Sequence, residues 1–136
     1  MDGFHLGKND MKLDEARKFA ANSIIGGTTN KIEDIQEAQK AGVDYIGLGP
    51  YKFTRTKENL EPVLGYLGYL NIIRALKQKM QDTPPIIAIG NIKTKDVYPL
   101  LNIGVHGVAV SSYFSENTEA RVKDMLNEIE LYRTNG

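Results

Sequence analysis

The sequence predicts a parallel α/β fold, and a repeat along the chain is the main reason. Five short apolar runs that end in small residues start about 20 residues apart, apart from one gap about twice as long. A segment with apolar residues at helical spacing follows each run, and strands that alternate with helices in this way build parallel sheets. The predicted strands are Gly3–Gly7, Ser23–Thr28, Asp44–Gly49, Pro85–Asn91 and Gly107–Ser112.

The segments between these strands are predicted helices. Lys31–Ala41 places Ile32, Ile35 and Ala38 on one face, and Gly42 follows as a helix-ending residue. Thr94 and either Asn117 or Thr118 are the expected N-caps of the last two helices. Because the strands lack polar alternation, we expect the sheet to be buried on both faces. The other predicted helices are Leu13–Ala21, Leu67–Met80, Thr94–Ile103 and Thr118–Tyr132.

Two architectures accommodate five such units. They could form a doubly wound open sheet, or about five-eighths of a (β/α)₈ barrel. The length of 136 residues favours the open sheet, since a complete barrel needs about 200 residues or more. The residues that follow the strands favour the barrel. In both architectures, catalytic groups gather at the carboxyl ends of the strands.

Composition excludes several classes of function. The 17 basic and 17 acidic residues cancel, which argues against a nucleic-acid or anionic-membrane partner. The absence of cysteine excludes disulfides and thiolate metal sites, and two histidines are too few for a His-rich metal centre. We find no signal peptide and no apolar run of membrane-spanning length, so we expect a single cytoplasmic domain over residues 1–136.

Two of the first strand ends carry candidate ligand groups. Asp10 follows the first strand, where it could bind Mg²⁺ together with substrate phosphate oxygens or, alternatively, cap a helix. Gly26 and Gly27 precede Thr28 at the second strand end. These glycines could let the backbone approach a ligand beside the Thr28 hydroxyl, or they could simply form a turn that needs positive φ.

The long segment after the third strand begins GPYKFTRTKENL. Thr54 and Thr56 can present hydroxyls on one side of an extended loop, and Lys57 adds a point charge suited to a phosphate. A solvated basic loop is the alternative, but long loops in compact domains are usually functional. Lys52 and Arg55 are expected to be solvated or to flank the anion.

The last two strands also end in small residues. If they are strands seven and eight of a barrel, Gly90, Asn91, Ser111 and Ser112 would surround a phosphate with backbone N–H groups. Turns of glycine and serine also occur for purely steric reasons. His5 lies within a strand and is expected to pack behind the site, and His106 is expected on the surface.

Taken in order, these segments resemble the thiamine phosphate synthase family. The matching stretches are DGFHLGKNDM, IIGGTTN, GVDYIGLGPYKFTRTK, IIAIGNI and GVHGVAVSS. The resemblance implies a (β/α)₈ barrel, matched here from strand four to strand eight. It also implies a transferase that joins hydroxymethylpyrimidine diphosphate to hydroxyethylthiazole phosphate. The products are thiamine phosphate and pyrophosphate, and Mg²⁺ is the implied cofactor.

The resemblance also implies roles for individual residues. Asp10 corresponds to a Mg²⁺ ligand, Lys57 to the catalytic lysine that contacts the diphosphate, and Thr28 to a serine that faces it. Thr54 and Thr56 correspond to hydroxyls near the thiazole phosphate, while Gly90, Ser111 and Ser112 fall in phosphate-binding turns.

Two positions depart from the family pattern. Asn91 replaces the second glycine after strand seven, where its side chain could crowd the phosphate, although asparagine tolerates left-handed backbone well. Asn30 occupies the position of a histidine found in many members and in related thiazole tautomerases. Asn30 therefore counts against tautomerase activity.

The match begins at strand four of the family pattern, so the three units before it do not appear in this sequence. Those units carry a Gln-x-Arg-x-Lys diphosphate clamp and an Asn-Asp pair. We therefore expect impaired synthase activity, and association into homo-oligomers through unpaired sheet edges. A non-catalytic phosphate-binding fragment is an alternative. Another is a barrel isomerase or epimerase, for which only Asp10 and Lys57 offer an acid–base pair.

Overall fold

The fold is seen in a computed structural model that describes residues 3–52, 62–79, 82–110 and 118–135. Strands and helices alternate along the chain, as the repeat predicts. The strands are β1 (Gly3–Leu6), β2 (Ile24–Thr29), β3 (Tyr45–Leu48), β4 (Ile86–Ile89) and β5 (Gly107–Ala109). The helices are α1 (Leu13–Phe19), α2 (Ile32–Ala41), α3 (Gly65–Lys79), α4 (Thr94–Ile103) and α5 (Thr118–Asn135).

The five strands form one parallel sheet in the order β1-β2-β3-β4-β5. Each connection moves one place in the same direction, so right-handed crossovers put every helix on the same face of the sheet. Successive helices accordingly contact one another. A doubly wound sheet reverses its direction at a switch point, and this sheet does not. The parallel α/β prediction is confirmed, and the winding is that of a TIM barrel.

The hydrophobic core lies between the sheet and its helices. Alternate strand residues point into it, including Ile46 and Leu48 of β3 and Ile86 of β4, and all three are buried. Helices contribute Ile35, Tyr69, Ile73 and Leu100 to the same cluster.

The opposite face of the sheet is less covered than the sequence predicts. Its side chains are exposed or half-buried among the residues that the structure describes. The expectation that both faces are buried is therefore wrong for this part of the chain, because all of its helices pack on one side. The side chains on this open face include His5, Thr28, Tyr45, Ile87 and Ile89.

The helix ends confirm one prediction and correct another. Gly42 ends α2 in a left-handed conformation with φ +79°, as expected. Thr94 is not the N-cap of α4, because Lys93 occupies that position. The Asp96 carboxylate accepts the Lys93 backbone N–H at 2.9 Å and so satisfies the start of the helix. Asn117 lies outside the described residues, and α5 begins at Thr118.

No helix in the described ranges has both the length and the apolar character that crossing a bilayer requires.

Candidate functional site

The candidate site lies at the carboxyl edge, meaning the edge of the sheet where all five parallel strands end. The register aligns Thr29 of β2 with Leu48 of β3, and Leu48 with Ala88 of β4. Asp10 follows β1, Thr28 lies next to the last residue of β2, and Gly90 directly follows β4. The structure therefore places all three of these sequence-predicted residues at this edge.

Asp10 is held in a tight turn and does not cap a helix. Its Oδ2 accepts the Gly7 backbone N–H at 2.7 Å, and its own N–H donates to the Gly7 carbonyl at 3.2 Å. Helix α1 begins later, with Lys12 at its N-cap. The capping alternative is therefore wrong, and the Asp10 side chain is exposed at the carboxyl edge.

This arrangement fits one mode of magnesium binding. Within the described ranges, no group of three or more His, Cys, Asp or Glu side chains could hold a metal ion. Mg²⁺ commonly binds one or two carboxylates and takes its other ligands from water and substrate phosphates. A single exposed carboxylate such as Asp10 suits that mode and does not suit an all-protein cage.

Thr28 is hydrogen-bonded to a histidine on the open face. Its Oγ1 lies 3.1 Å from His5 Nε2, and His5 Nδ1 lies 2.9 Å from the Tyr45 hydroxyl. The His5 and Tyr45 rings stack with centroids 5.6 Å apart. His5 therefore touches the candidate substrate-binding hydroxyl directly.

The glycines beside Thr28 have packing roles that the sequence did not reveal. A Cβ at Gly26 would overlap the Tyr45 ring, and one at Gly27 would lie 2.7 Å from Leu13 Cδ1. Neither glycine is among the positive-φ residues of the described chain, so the turn explanation is wrong. Gly26 leaves room for an aromatic ring on the open face, and Gly27 leaves room for Leu13 of α1.

The long loop after β3 is tied down at both ends. The Leu64 N–H donates to the Pro50 carbonyl, and the Gly65 N–H donates to the Tyr51 carbonyl, both at 2.9 Å. Tyr51 N–H and Lys52 N–H in turn donate to the Ile89 and Gly90 carbonyls, at 2.8 and 3.0 Å. This stem starts the loop at the carboxyl edge. Thr54, Arg55, Thr56 and Lys57 lie outside the described residues, so their roles stay predictions.

Lys52 is paired with a buried carboxylate, while its own side chain is 37% exposed. Its Nζ lies 2.9 and 3.1 Å from the two carboxylate oxygens of Asp96, whose side chain is only 8% exposed. The same ammonium lies 5.3 Å from the Tyr51 ring centroid. Burial, and secondarily the Asp96 charge, raise the pKa of Tyr51. The pair thus fixes the loop stem to the start of α4.

The turn after β4 has the left-handed geometry that its sequence allows. Gly90 has φ +105° and Asn91 has φ +52°. A Cβ at Gly90 would lie 2.7 Å from the Tyr51 backbone nitrogen, so only glycine fits there without displacement. Asn91 adopts the left-handed region, in agreement with its known tolerance for it. Ser111 and Ser112 lie outside the described residues.

Asn30 joins the ends of two strands. Its Nδ2 donates to the Gly49 carbonyl at 2.5 Å, and its backbone N–H donates to Asp34 Oδ2 at 2.9 Å. Asp34 also pairs with Lys8 at 2.9 Å. An amide engaged in this way positions backbone and offers no titratable group.

The family of the chain follows from its similarity to known proteins. The sequence profile described as thiamine monophosphate synthase matches residues 1–114. The chain belongs to this family. A thiamine-phosphate synthase of Flavobacterium johnsoniae is 50% identical over 129 residues, which are 93% of this chain and 60% of that protein. One from Bacteroides thetaiotaomicron is 43% identical over 130 residues, covering 93% of this chain and 62% of that protein.

A solved structure agrees with this assignment. The thiamine phosphate pyrophosphorylase from Pyrococcus furiosus superposes with a TM-score of 0.79 at 30% identity, over 96% of this chain and 60% of that one. The chain therefore spans about three-fifths of the length of the relatives it matches.

Proposed function

We propose that this chain acts in thiamine biosynthesis as a thiamine phosphate synthase. The reaction joins hydroxymethylpyrimidine diphosphate to hydroxyethylthiazole phosphate and releases thiamine phosphate and pyrophosphate. Membership of the family is the observation that carries this proposal, since the matching relatives bear the synthase name. Because the chain spans about three-fifths of those relatives, the activity of the whole protein is proposed for it and not established.

The proposed site residues fall into three groups. Asp10 would hold Mg²⁺, and Thr28 and catalytic Lys57 would contact the diphosphate. The remaining residues would bind the thiazole phosphate, and they are Thr54, Thr56, Gly90, Ser111 and Ser112. The position of Asp10, Thr28 and Gly90 at one edge of the sheet supports this grouping.

The chemistry of the reaction suits such a site. A departing diphosphate develops negative charge, which fixed donors and cations stabilise best when they need not reorganise. Mg²⁺, when bound, would supply charge neutralisation at the diphosphate. The Thr28 hydroxyl would donate to a phosphate oxygen, and the loop on the Pro50–Lys52 stem would bring Lys57 and its threonines toward the same edge. Holding both substrates in line would then account for much of the rate.

A turnover assay with paired variants tests this proposal. The chain is incubated with both substrates and Mg²⁺, and thiamine phosphate is measured after oxidation to its fluorescent thiochrome. Asp10→Asn should reduce turnover at least tenfold, because it removes a carboxylate ligand. Asp14→Asn is the matched control, since Asp14 is an exposed carboxylate within α1. Equal rates for the two variants would refute the role of Asp10, and the wild-type rate tests the expected impairment.

Tautomerase activity is not favoured, because the Asn30 amide is bonded to the Gly49 carbonyl and cannot transfer protons. A non-catalytic phosphate-binding fragment is the remaining alternative. It would bind thiazole phosphate in calorimetry and give no turnover, whereas the synthase proposal requires both.

The larger architecture is also proposed. The five units would correspond to strands four to eight of the family barrel and form one domain over residues 1–136. Association of the chain into homo-oligomers is part of the same proposal; light scattering measures it, and a monodisperse monomer would contradict it.

A further inference from the structure

Three side chains on the open face form a hydrogen-bonded row that ends at a candidate substrate-binding group. Tyr45 OH lies 2.9 Å from His5 Nδ1, and His5 Nε2 lies 3.1 Å from Thr28 Oγ1. In the register, His5 of β1 and Tyr45 of β3 flank Gly26 of β2, and Thr28 lies two residues further along β2. Because a neutral imidazole has one donor and one acceptor nitrogen, the row has a direction.

The direction decides what Thr28 can do. If Nε2 carries the proton, it donates to Thr28 Oγ1, and the Thr28 hydroxyl keeps its own proton for another acceptor. Nδ1 must then accept a hydrogen bond from the Tyr45 hydroxyl. In the opposite tautomer, Nε2 would accept a hydrogen bond from the Thr28 hydroxyl. The hydroxyl would then have no proton left to donate to an anion. Burial raises the pKa of Tyr45, so its phenol stays protonated and able to donate.

We propose that Tyr45 and His5 are positioning residues, which act as a directional relay that aims the Thr28 hydroxyl proton at a phosphate oxygen of the bound diphosphate. Tyr45 O–H donates to His5 Nδ1, His5 Nε2–H donates to Thr28 Oγ1, and Thr28 O–H donates to the substrate. This inference rests on the proposed function, because it assigns Thr28 an anionic partner.

Two glycines of the sheet, Gly26 and Gly47, leave space for the rings of Tyr45 and His5. A Cβ at Gly26 would overlap the Tyr45 ring, and one at Gly47 would lie 3.2 Å from His5 Cε1. The two rings stack at 5.6 Å with an angle of 26° between their planes. The Tyr45 ring therefore lies over Gly26, and the His5 ring reaches over Gly47. Glycine at these two positions leaves the space that the stacked rings occupy while His5 Nε2 meets Thr28.

A double-mutant cycle tests the relay. The probe is inorganic pyrophosphate with Mg²⁺, and its affinity is measured by calorimetry. Tyr45→Phe keeps the stacked ring and should weaken binding about 3- to 10-fold, the range for one neutral hydrogen bond. Thr28→Val should weaken it by about as much or more. The double variant should bind no more weakly than Thr28→Val alone, because Tyr45 acts only through Thr28.

The control and the contrary outcomes separate the two proposals. Tyr98→Phe removes a phenol from α4, where the ring packs edge-on against Tyr132, and should leave affinity unchanged. Additive effects of Tyr45→Phe and Thr28→Val, or no effect of Tyr45→Phe, would overturn the relay alone. No effect of Thr28→Val would overturn the relay and the role of Thr28, while turnover would still decide whether the chain is a synthase.

The tautomer can be observed directly in the wild-type protein by imidazole ¹⁵N shifts. His106 is an internal reference, because the Ile86 N–H donates to its Nδ1 at 3.1 Å and so requires the Nε2–H form. The spectra are recorded at alkaline pH, because a neutral imidazole carries its proton on only one of its two nitrogens. His5 should then show the same Nε2–H pattern as His106. The Nδ1–H pattern at His5 would overturn the relay.

Discussion

Gly90→Ala tests how the candidate site is built, because Gly90 joins the end of β4 to the stem of the long loop. Its φ of +105° costs an L-residue about 1–2 kcal/mol. The added Cβ would also lie 2.7 Å from Tyr51 N and 2.8 Å from Pro50 Cα, both backbone atoms. Overpacking of this kind costs about 1–3 kcal/mol more. The free energy of unfolding should therefore fall by about 2–5 kcal/mol.

Gly65→Ala is the matched control. Gly65 also has positive φ, at +64°, but a Cβ there would meet no heavy atom of the described residues within 4 Å. Urea titration should therefore show a loss of only about 1–2 kcal/mol for this variant. Alanine lowers the conformational entropy of the unfolded chain equally in both variants, so this contribution cancels when their losses of stability are compared. Equal losses for both variants would refute the close packing of Gly90 against the loop stem.

Two further predictions concern stability. Tyr69→Phe should lower the free energy of unfolding by about 1–2 kcal/mol, since the buried hydroxyl donates to the Leu48 carbonyl; an unchanged urea midpoint would contradict this. Asp44 accepts hydrogen bonds from the Ile25 N–H and from the Arg17 guanidinium, and these hold the pKa of its carboxyl below the ordinary aspartate value of about 3.9. Its stabilisation is therefore present above that value and lost as the pH falls through the lower folded value. Asp44→Asn should be less stable than wild type at pH 7, with a difference that shrinks below about pH 4; a difference independent of pH would argue against this.

Much of the fold follows from the sequence because local patterns encode it. Each apolar run became a strand, and each amphipathic segment became a helix, with Gly42 ending α2 as predicted. The order of the strands could not be predicted in the same way. Strand order depends on which way each crossover packs, and the alternation of strands and helices is common to both architectures.

The candidate site likewise has a part that the sequence predicts and a part that it does not. Strand-end residues such as Asp10 and Gly90 could be located because parallel strands end at a common edge. The contacts that organise this edge could not. His5 meets Tyr45 across 40 positions of sequence, and Lys52 meets Asp96 across 44. Such pairs arise from register and crossover geometry. The sequence offered one signal for such contacts, namely glycines within strands. A strand glycine can leave room for an aromatic ring from a neighbouring strand, as Gly26 does for the Tyr45 ring.

We propose that the carboxyl edge of this sheet binds diphosphate and a divalent cation for thiamine phosphate synthesis. A crystal structure of the chain with pyrophosphate and Mn²⁺, a Mg²⁺ substitute visible by anomalous scattering, tests it most directly. We expect a metal peak within coordination distance of the Asp10 carboxylate, and a phosphate oxygen within hydrogen-bond distance of Thr28 Oγ1. Metal and anion bound elsewhere, with Asp10 and Thr28 unliganded, would contradict it.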